Sequence, residues 1–297
     1  MTRAGPPTLL CGALSLTLSP ELGGSIARFD YRRSDGTQIP VLRGSADRDA
    51  TVLDQASFPL VPYSNRIRGG RFTFRGREVR IAPNMTGDPS PLHGQGWLAP
   101  WDVVALGETE AELRFAHRAH EWPWCYEARQ TFALDEGGLT VTLTCTNTDD
   151  EPMPCGLGQH PYFPCTPQTI LDTEVESVWT IDDKVLPVEK IVAEGRFDLR
   201  NRTVAGQGLD HGFGGWGGRA RVDDPTLPVA LEMSSPDAGF FQLYSPTSGE
   251  LFVIEPVSHA NAALNQPEEE WPALGLLVLE PGETMSLTMR LDVIPNQ

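Results

Sequence analysis

Leu139-Thr140-Val141-Thr142-Leu143-Thr144-Cys145-Thr146 alternates an apolar side chain with a polar one at every step. Successive side chains of a strand point to opposite faces, so a period of two describes a strand with one face in a core and one in water. Threonine's branched Cβ suits the wetted face of such a pleat. Upstream, Tyr126 to Leu134 is the expected partner, with Glu136-Gly137-Gly138 as the turn. Trp101 to Leu106 and Ala111 to Ala116 form a second expected pair around Gly107-Glu108. Downstream, Gly239 to Tyr244 and Glu250 to Ile254 pair across Pro246-Thr247-Ser248-Gly249, and Thr284 to Ile294 repeats the strict alternation. Residues 8 to 31 read as two strands turning at Pro20-Glu21-Leu22-Gly23-Gly24, and Arg71 to Arg75 with Glu78 to Ala82 as a hairpin on Gly76. Residues 165 to 205 read as a surface loop with short strands around Thr173 to Ile181. The fold class is all-β, of mostly antiparallel strands, and with no repeat and no linker that splits the chain, residues 1–297 read as a single domain.

Composition narrows the function. The 297 residues carry a formal net charge of −17, with 29 glycines and 26 prolines. Such a surface repels nucleic acid and anionic membranes, and no basic tract offsets it. No apolar run reaches membrane-spanning length. Leu9-Leu10-Cys11 near the N-terminus is broken by Pro6, Pro7 and Gly12 and has no small-residue cleavage site, so a cytoplasmic protein is expected. Cys11, Cys125, Cys145, Cys155 and Cys165 are odd in number and widely spaced, which reads as reduced thiols. Cys155 and Cys165 flank His160, but a structural zinc site wants four ligands in short paired spacings, so no metal is expected.

Four polar segments stand out between the strands. Gly156-Leu157-Gly158-Gln159-His160-Pro161-Tyr162-Phe163-Pro164 frames a histidine between glycines, a proline and two aromatics. An imidazole held this way suits proton transfer on a small polar ligand near neutral pH. Ser64-Asn65-Arg66 lies in a loop too rich in proline and glycine to be a helix. Leu92-His93-Gly94-Gln95-Gly96-Trp97 offers an imidazole for hydroxyls and an indole for the C–H face of a sugar. Gly208 to Gly218 surrounds Asp210 and His211 with glycine, either as a flexible turn or as backbone brought close to a ligand. His117, His120, Trp122 and Trp124 read either as a pocket border or as solvated loop. Glu255 closes the apolar run Leu251-Phe252-Val253-Ile254, and Pro256 is expected to stop the ladder there. A carboxylate at the end of a buried strand is desolvated, which raises its pKa and suits a general base. There is no serine elbow, phosphate loop, dinucleotide fingerprint or metal cluster, which leaves cofactor-free proton transfer.

Taken in order, Ser64-Asn65-Arg66-Ile67, Leu92-His93-Gly94 with Trp97, His160-Pro161-Tyr162-Phe163, Leu209-Asp210-His211 and the strand ending in Glu255 resemble the aldose 1-epimerase (galactose mutarotase) family. The resemblance implies a galactose mutarotase-like β-supersandwich, a monosaccharide substrate and no cofactor. It implies that His160 acts as acid and Glu255 as base in opening and reclosing the sugar ring. His93, Asp210 and Arg66 would bind hydroxyls, with Asn65 shaping their loop. A monomer or homodimer is expected. A hexose-6-phosphate or uronate mutarotase, a sugar binder that has lost catalysis, and a hydrolase or lyase on a related sandwich are the alternatives. Six arginines between Arg66 and Arg80 raise the anionic-sugar option, but their spacing spreads them around a hairpin instead of focusing them on one point.

Overall fold

Gly138–Asn147 lies inside a nine-stranded antiparallel sheet in the computed structural model, which describes residues 5–44 and 50–296. It pairs with Tyr126–Asp135 on one side and Thr284–Pro295 on the other. Leu139, Val141, Leu143 and Cys145 are fully buried, while the alternating threonines keep partial access to water. Glu110–His117 and Asp102–Leu106 extend this sheet to one edge. Val229–Ser234, Arg219–Asp223, Ile170–Thr173 and Arg202–Thr203 extend it to the other.

A second sheet of eight strands runs Pro187–Val192, Ser177–Ile181, Leu209–Gly214, Phe240–Ser245, Leu251–Val257, Gly158–Gln159 and Pro59–Leu60, with Tyr162–Pro164 also paired to Leu251–Val257. A four-stranded sheet (Thr8–Cys11, Leu14–Ser19, Ser25–Arg32, Gln38–Leu42) and two short ribbons complete the architecture. Among the described residues the only helical segments are short 3₁₀ turns, and no helix is long and apolar enough to cross a membrane.

The eight-stranded sheet is apolar on both faces, for different reasons. Phe241, Leu243, Phe252 and Ile254 join the main core, which also takes Leu143 and Leu287 from the nine-stranded sheet. On the opposite face Val253 and Val257 pack with Phe58, Leu60, Leu92, Trp97 and Tyr162 in a separate cluster. By parity that second face also carries Gln242, Tyr244 and Glu255.

Several expectations need revision. The first 24 residues of strand pattern split at Gly12-Ala13 into three strands rather than two. Residues 165 to 205 hold a further edge strand, Pro187–Val192, whose mostly exposed side chains carry no alternation to read. Trp122 and Trp124 are neither pocket border nor solvated: both are buried in the core against Phe72 and each other. The glycine-rich stretch from residue 208 is mainly the strand Leu209–Gly214, not a flexible turn. Glu255 is not the last residue of its strand. The strand runs through Pro256 to Val257, which pairs with Phe240 on one flank and Gly158 on the other. A proline removes one donor, and with partners on both sides the ladder continues past it.

Leu143→Ala is expected to cost about 2–5 kcal/mol, since it empties a fully enclosed site. Thr142→Ala, on the wet face, loses one exchange of hydroxyl hydrogen bonds with Thr288 and is expected to cost no more than about 1 kcal/mol. Urea unfolding of both variants measures the contrast.

Candidate active site

The strand Leu251–Val257 has an interrupted neighbour. Gly158 pairs with Val257, and Tyr162 pairs with Val253. The register is the same on both sides of the gap, so the unpaired residue between them, His160, falls opposite Glu255. The His160 amide instead donates to Phe58 O at 3.0 Å, and the Tyr162 amide to Ala56 O at 2.9 Å. Pro161, which has no amide hydrogen, fills the break without leaving a donor unpaired. His160 Nε2 and Glu255 Oε1 are 3.5 Å apart.

Around this pair lies a cavity of about 470 Å³, lined by Asn65, Arg66, His93, His160, Asp210 and Glu255 together with Phe58, Tyr162 and Tyr244. All six residues expected from the sequence therefore meet in one place. Phe58 stacks on the His160 ring at 4.4 Å between centroids, with 19° between planes, and fixes its orientation. Trp97 also borders the cavity, but it is buried, stacks on Phe58 and donates its indole N–H to Leu92 O at 3.0 Å. Its main contacts are structural. His211 alternates to the opposite side of its strand from Asp210 and packs on Phe197.

The loop that carries Asn65 and Arg66 is cross-braced to the one that carries His93. The Asn65 amide donates to His93 Nδ1 at 3.0 Å, and the His93 amide donates to Asn65 O at 3.0 Å. Both residues have left-handed backbone, φ 59° and 60°, a conformation that costs a non-glycine residue energy and persists where neighbours enforce it. Gly94 follows with φ 72°, and a Cβ there would stand 2.1 Å from Val61 O, so only glycine fits. With Nδ1 accepting, a neutral His93 carries its hydrogen on Nε2, leaving that nitrogen as a donor. Burial holds the His93 pKa well below the usual histidine value, with smaller contributions from His160 and Arg66.

Arg66 donates from Nε to Asp88 Oδ2 at 2.9 Å and from Nη1 to Asn65 Oδ1 at 3.2 Å. Asp210 accepts from Gln242 Nε2 at 2.7 Å. Burial raises the Asp210 pKa, partly offset by Arg66 and by that hydrogen bond. Asp88 and Gln242 gave no signal as isolated residues in the sequence. Gln242 becomes recognisable only once it is known to sit directly opposite Glu255 in the register.

Burial governs the protonation of the His160–Glu255 pair. It raises the Glu255 pKa well above that of an ordinary carboxyl, and the Asp210 charge adds to this. It lowers His160 to about 3, with Arg43 contributing in the same direction. The 3.5 Å contact favours the ion pair, but in so enclosed a site desolvation wins and both groups lean towards their neutral forms. Neutral carboxyl with neutral imidazole holds the same single proton as carboxylate with imidazolium. The pair therefore has one proton to place and two groups to place it on. Among the described residues, Glu255 Oε2 and His160 Nδ1 have no hydrogen-bond partner.

The profile of the aldose 1-epimerase family matches residues 13–292. The chain belongs to this family. The Escherichia coli K12 protein YphB, whose function is uncharacterised, is 34% identical over 297 residues, covering 96% of this chain and 98% of that one. A crystal structure of a putative aldose 1-epimerase from Escherichia coli K12 superposes with a TM-score of 0.88 at 33% identity, over 98% of this chain and 99% of that one. Rat galactose mutarotase is 28% identical over 210 residues, covering 64% of this chain and 60% of the rat protein. The fold is the galactose mutarotase-like one, and family membership supports a carbohydrate epimerase or mutarotase.

These pKa shifts have opposite consequences for stability. His160 (about 3), His211 (about 4) and His259 (about 4) bind protons less readily folded than the ordinary 6.5. Their contribution is complete above pH 6.5 and is lost as pH falls towards those folded values. Glu255 is raised above 4.5, so its contribution is complete below pH 4.5 and is lost as pH rises through its elevated value. Between pH 6.5 and pH 4.5 these three histidines and His93, all lowered, oppose the raised Glu255 and Asp210, and with the histidines in the majority urea midpoints are expected to fall. At pH 8, Glu255→Gln is expected to unfold at a higher urea concentration than the parent, because the variant has no carboxylate to keep buried.

Proposed function

We propose that the protein is a cofactor-free mutarotase that interconverts the α and β anomers of a free aldose. The observation that carries this reading is the meeting of one candidate acid/base pair, 3.5 Å apart, with three hydroxyl-binding candidates and the loop residue Asn65 around a sugar-sized cavity. Glu255 removes the proton from the anomeric hydroxyl while His160 delivers one to the ring oxygen. The bond between carbon 1 and the ring oxygen breaks and the aldehyde forms. Carbon 1 then rotates about its bond to carbon 2, and the ring hydroxyl adds to the other face. In this closing step His160 takes its proton back and Glu255 returns one to the new anomeric oxygen. Concerted transfer avoids both an alkoxide and a cationic ring oxygen.

The reaction starts from carboxylate and imidazolium, whereas burial favours the neutral pair in the empty cavity. Sugar hydroxyls that donate to Glu255 supply hydrogen bonds to its charged form and shift the proton to His160. Binding the substrate thus arms the pair. His93 Nε2–H, Arg66 and Asp210 hold the remaining hydroxyls, and Asn65 braces the loop. One core cluster running from Leu9 to Val293 supports treating residues 1–297 as a single domain, and a cytoplasmic location fits the free thiols.

A neutral sugar fits better than an anionic one. Among the described residues that line the cavity, Arg66 supplies the one guanidinium, and Asp88 already engages it, while Asp210 and Glu255 contribute acidic groups. Arg68, Arg75, Arg77 and Arg80 pair with Asp182, Glu280, Glu151 and Glu78 elsewhere.

Exchange NMR on freshly dissolved α-anomers tests the chemistry. Glu255→Gln and His160→Asn are each expected to slow interconversion by about 10²–10⁴-fold in a folded protein. A near-parental rate in either removes that residue from the mechanism, and no acceleration of any sugar by the parent protein rejects the reading.

Substrate charge is tested by comparing initial rates for glucose, galactose, glucose 6-phosphate and galacturonate at equal concentration and low salt. The neutral sugars are expected to turn over faster. A preference for either anion, lost at high salt, overturns the neutral-sugar assignment.

A further inference from the structure

His259 lies two residues beyond the strand that carries Glu255 and does not line the cavity. It is almost fully buried, at 2% exposure. Its Nε2 accepts the Ser64 amide at 2.9 Å and lies 3.2 Å from the Ser64 hydroxyl. Its Nδ1 is 2.8 Å from Ala260 O. An amide only donates and a carbonyl only accepts, so these two contacts settle the tautomer: the hydrogen is on Nδ1, and Nε2 presents a lone pair.

The same short segment holds the rest of the loop. Asn261 Oδ1 accepts the Arg66 amide at 3.2 Å, and Asn265 Oδ1 accepts the Arg68 amide at 2.7 Å. Every second amide from Ser64 to Arg68 is received by a side chain of residues 259–265. The amide between the first two, that of Asn65, goes to His93. The loop that presents Asn65 and Arg66 belongs to no sheet; beyond an isolated backbone bridge between Arg66 and Leu92, these side chains set its shape. Backbone donors with no alternative partner must find one when buried, so the acceptors dictate where the loop sits.

Gly156 shows how tightly His259 is fitted. A Cβ at that position would stand 2.0 Å from His259 Cδ2, so the ring lies directly against the main chain of the His160 segment. Leu157 and Ser258 bond reciprocally beside it: the Leu157 amide donates to Ser258 Oγ at 2.9 Å, and the Ser258 amide to Leu157 O at 2.8 Å. The imidazole is thereby wedged between the segment leading to the proposed acid and the loop carrying the proposed sugar-binding residues.

We infer that His259 is a positioning residue for sugar binding: as the neutral Nδ1–H tautomer it anchors Ser64, and through the Ser64–Arg66 loop it sets Asn65, Arg66 and His93 against the sugar. This assignment rests on the proposed mutarotase reading for its kinetic readout, though not for its binding readout. A residue that merely filled space would be replaced without loss by an apolar side chain of similar volume. His259 would not, because the Ser64 amide would lose its acceptor.

Three variants and one measurement on the parent protein decide the matter. His259→Leu is expected to raise KM and the calorimetric Kd for the preferred sugar about tenfold or more, while kcat stays within about threefold. His259→Gln, which keeps an acceptor oxygen, is expected to recover at least half of that loss on a logarithmic scale. Gly156→Ala drives a methyl group into the ring from the other side and is expected to reproduce the rise in KM. Thermal melts accompany each variant. Equal KM in His259→Leu and the parent overturns the assignment, as does a loss of kcat with KM unchanged. If the variants fail to fold, long-range proton–nitrogen NMR of the parent decides: a His259 hydrogen on Nε2 overturns the assignment, and one on Nδ1 sustains it. If no sugar is anomerised, calorimetry of sugar binding still separates failure of the mutarotase reading from failure of this one.

Discussion

The site depends on a constant register across a break. Gly158 and Tyr162–Pro164 pair with the same strand in one continuous frame, and residues 159–161 between them leave its ladder. A slip of one residue on either side of the gap would turn His160 towards the core face and separate it from Glu255. The frame is over-determined. Val257 is paired on both flanks, Tyr162 and Phe163 are held by Val253 and Phe252, and the freed amide of His160 is caught by Phe58 O. The positions of the proposed acid and base are therefore a property of the sheet, whereas the residues proposed to bind hydroxyls are a property of loops braced by side chains. This division matches the chemistry: proton transfer tolerates little error in distance, while recognition of several hydroxyls can be distributed.

Burial is the second constraint, and it acts in two directions. The enclosure that packs Phe58, Val253 and Tyr162 beneath the pair also withholds water from it, which is why the carboxyl is driven up and the imidazole down. An exposed pair would sit as a stable ion pair and have little reason to exchange protons with a bound ligand. Here the two arrangements of the proton are brought closer in energy by desolvation, and the ligand's own polar groups can tip the balance.

How much was legible in the sequence follows from how each strand is wetted. Gly138–Asn147 and Thr284–Pro295 have one dry and one damp face, and their period of two is plain. Leu251–Val257 is buried on both faces, so its apolar run has no period, and its end was misplaced at Glu255 because Pro256 looked like a stop. Pro187–Val192 is at the opposite extreme: an exposed edge strand, equally without alternation. The six candidate residues converge because each was framed by local geometry, such as a glycine, a proline or a strand, that survives in the fold. His259 had no such frame. Its trace in the sequence was Gly156, a glycine whose empty side is explained only by a ring supplied from 103 positions away, counting from 156 to 259.

The single proton shared by Glu255 and His160 has one more consequence. On the proposed mechanism the proton taken from the anomeric oxygen and the one given to the ring oxygen balance within each half-reaction, and ring closure restores the starting arrangement. Turnover thus requires no exchange with bulk solvent. Sugars in plain water open their rings with help from whatever buffer ions are dissolved alongside them, so the spontaneous rate climbs with buffer concentration. On the proposed mechanism, a buried pair that keeps its own proton inventory is indifferent to that reservoir. On the proposed mechanism the protein separates anomer exchange from the composition of the medium, and its advantage over the spontaneous process is greatest where the surroundings offer the fewest proton carriers.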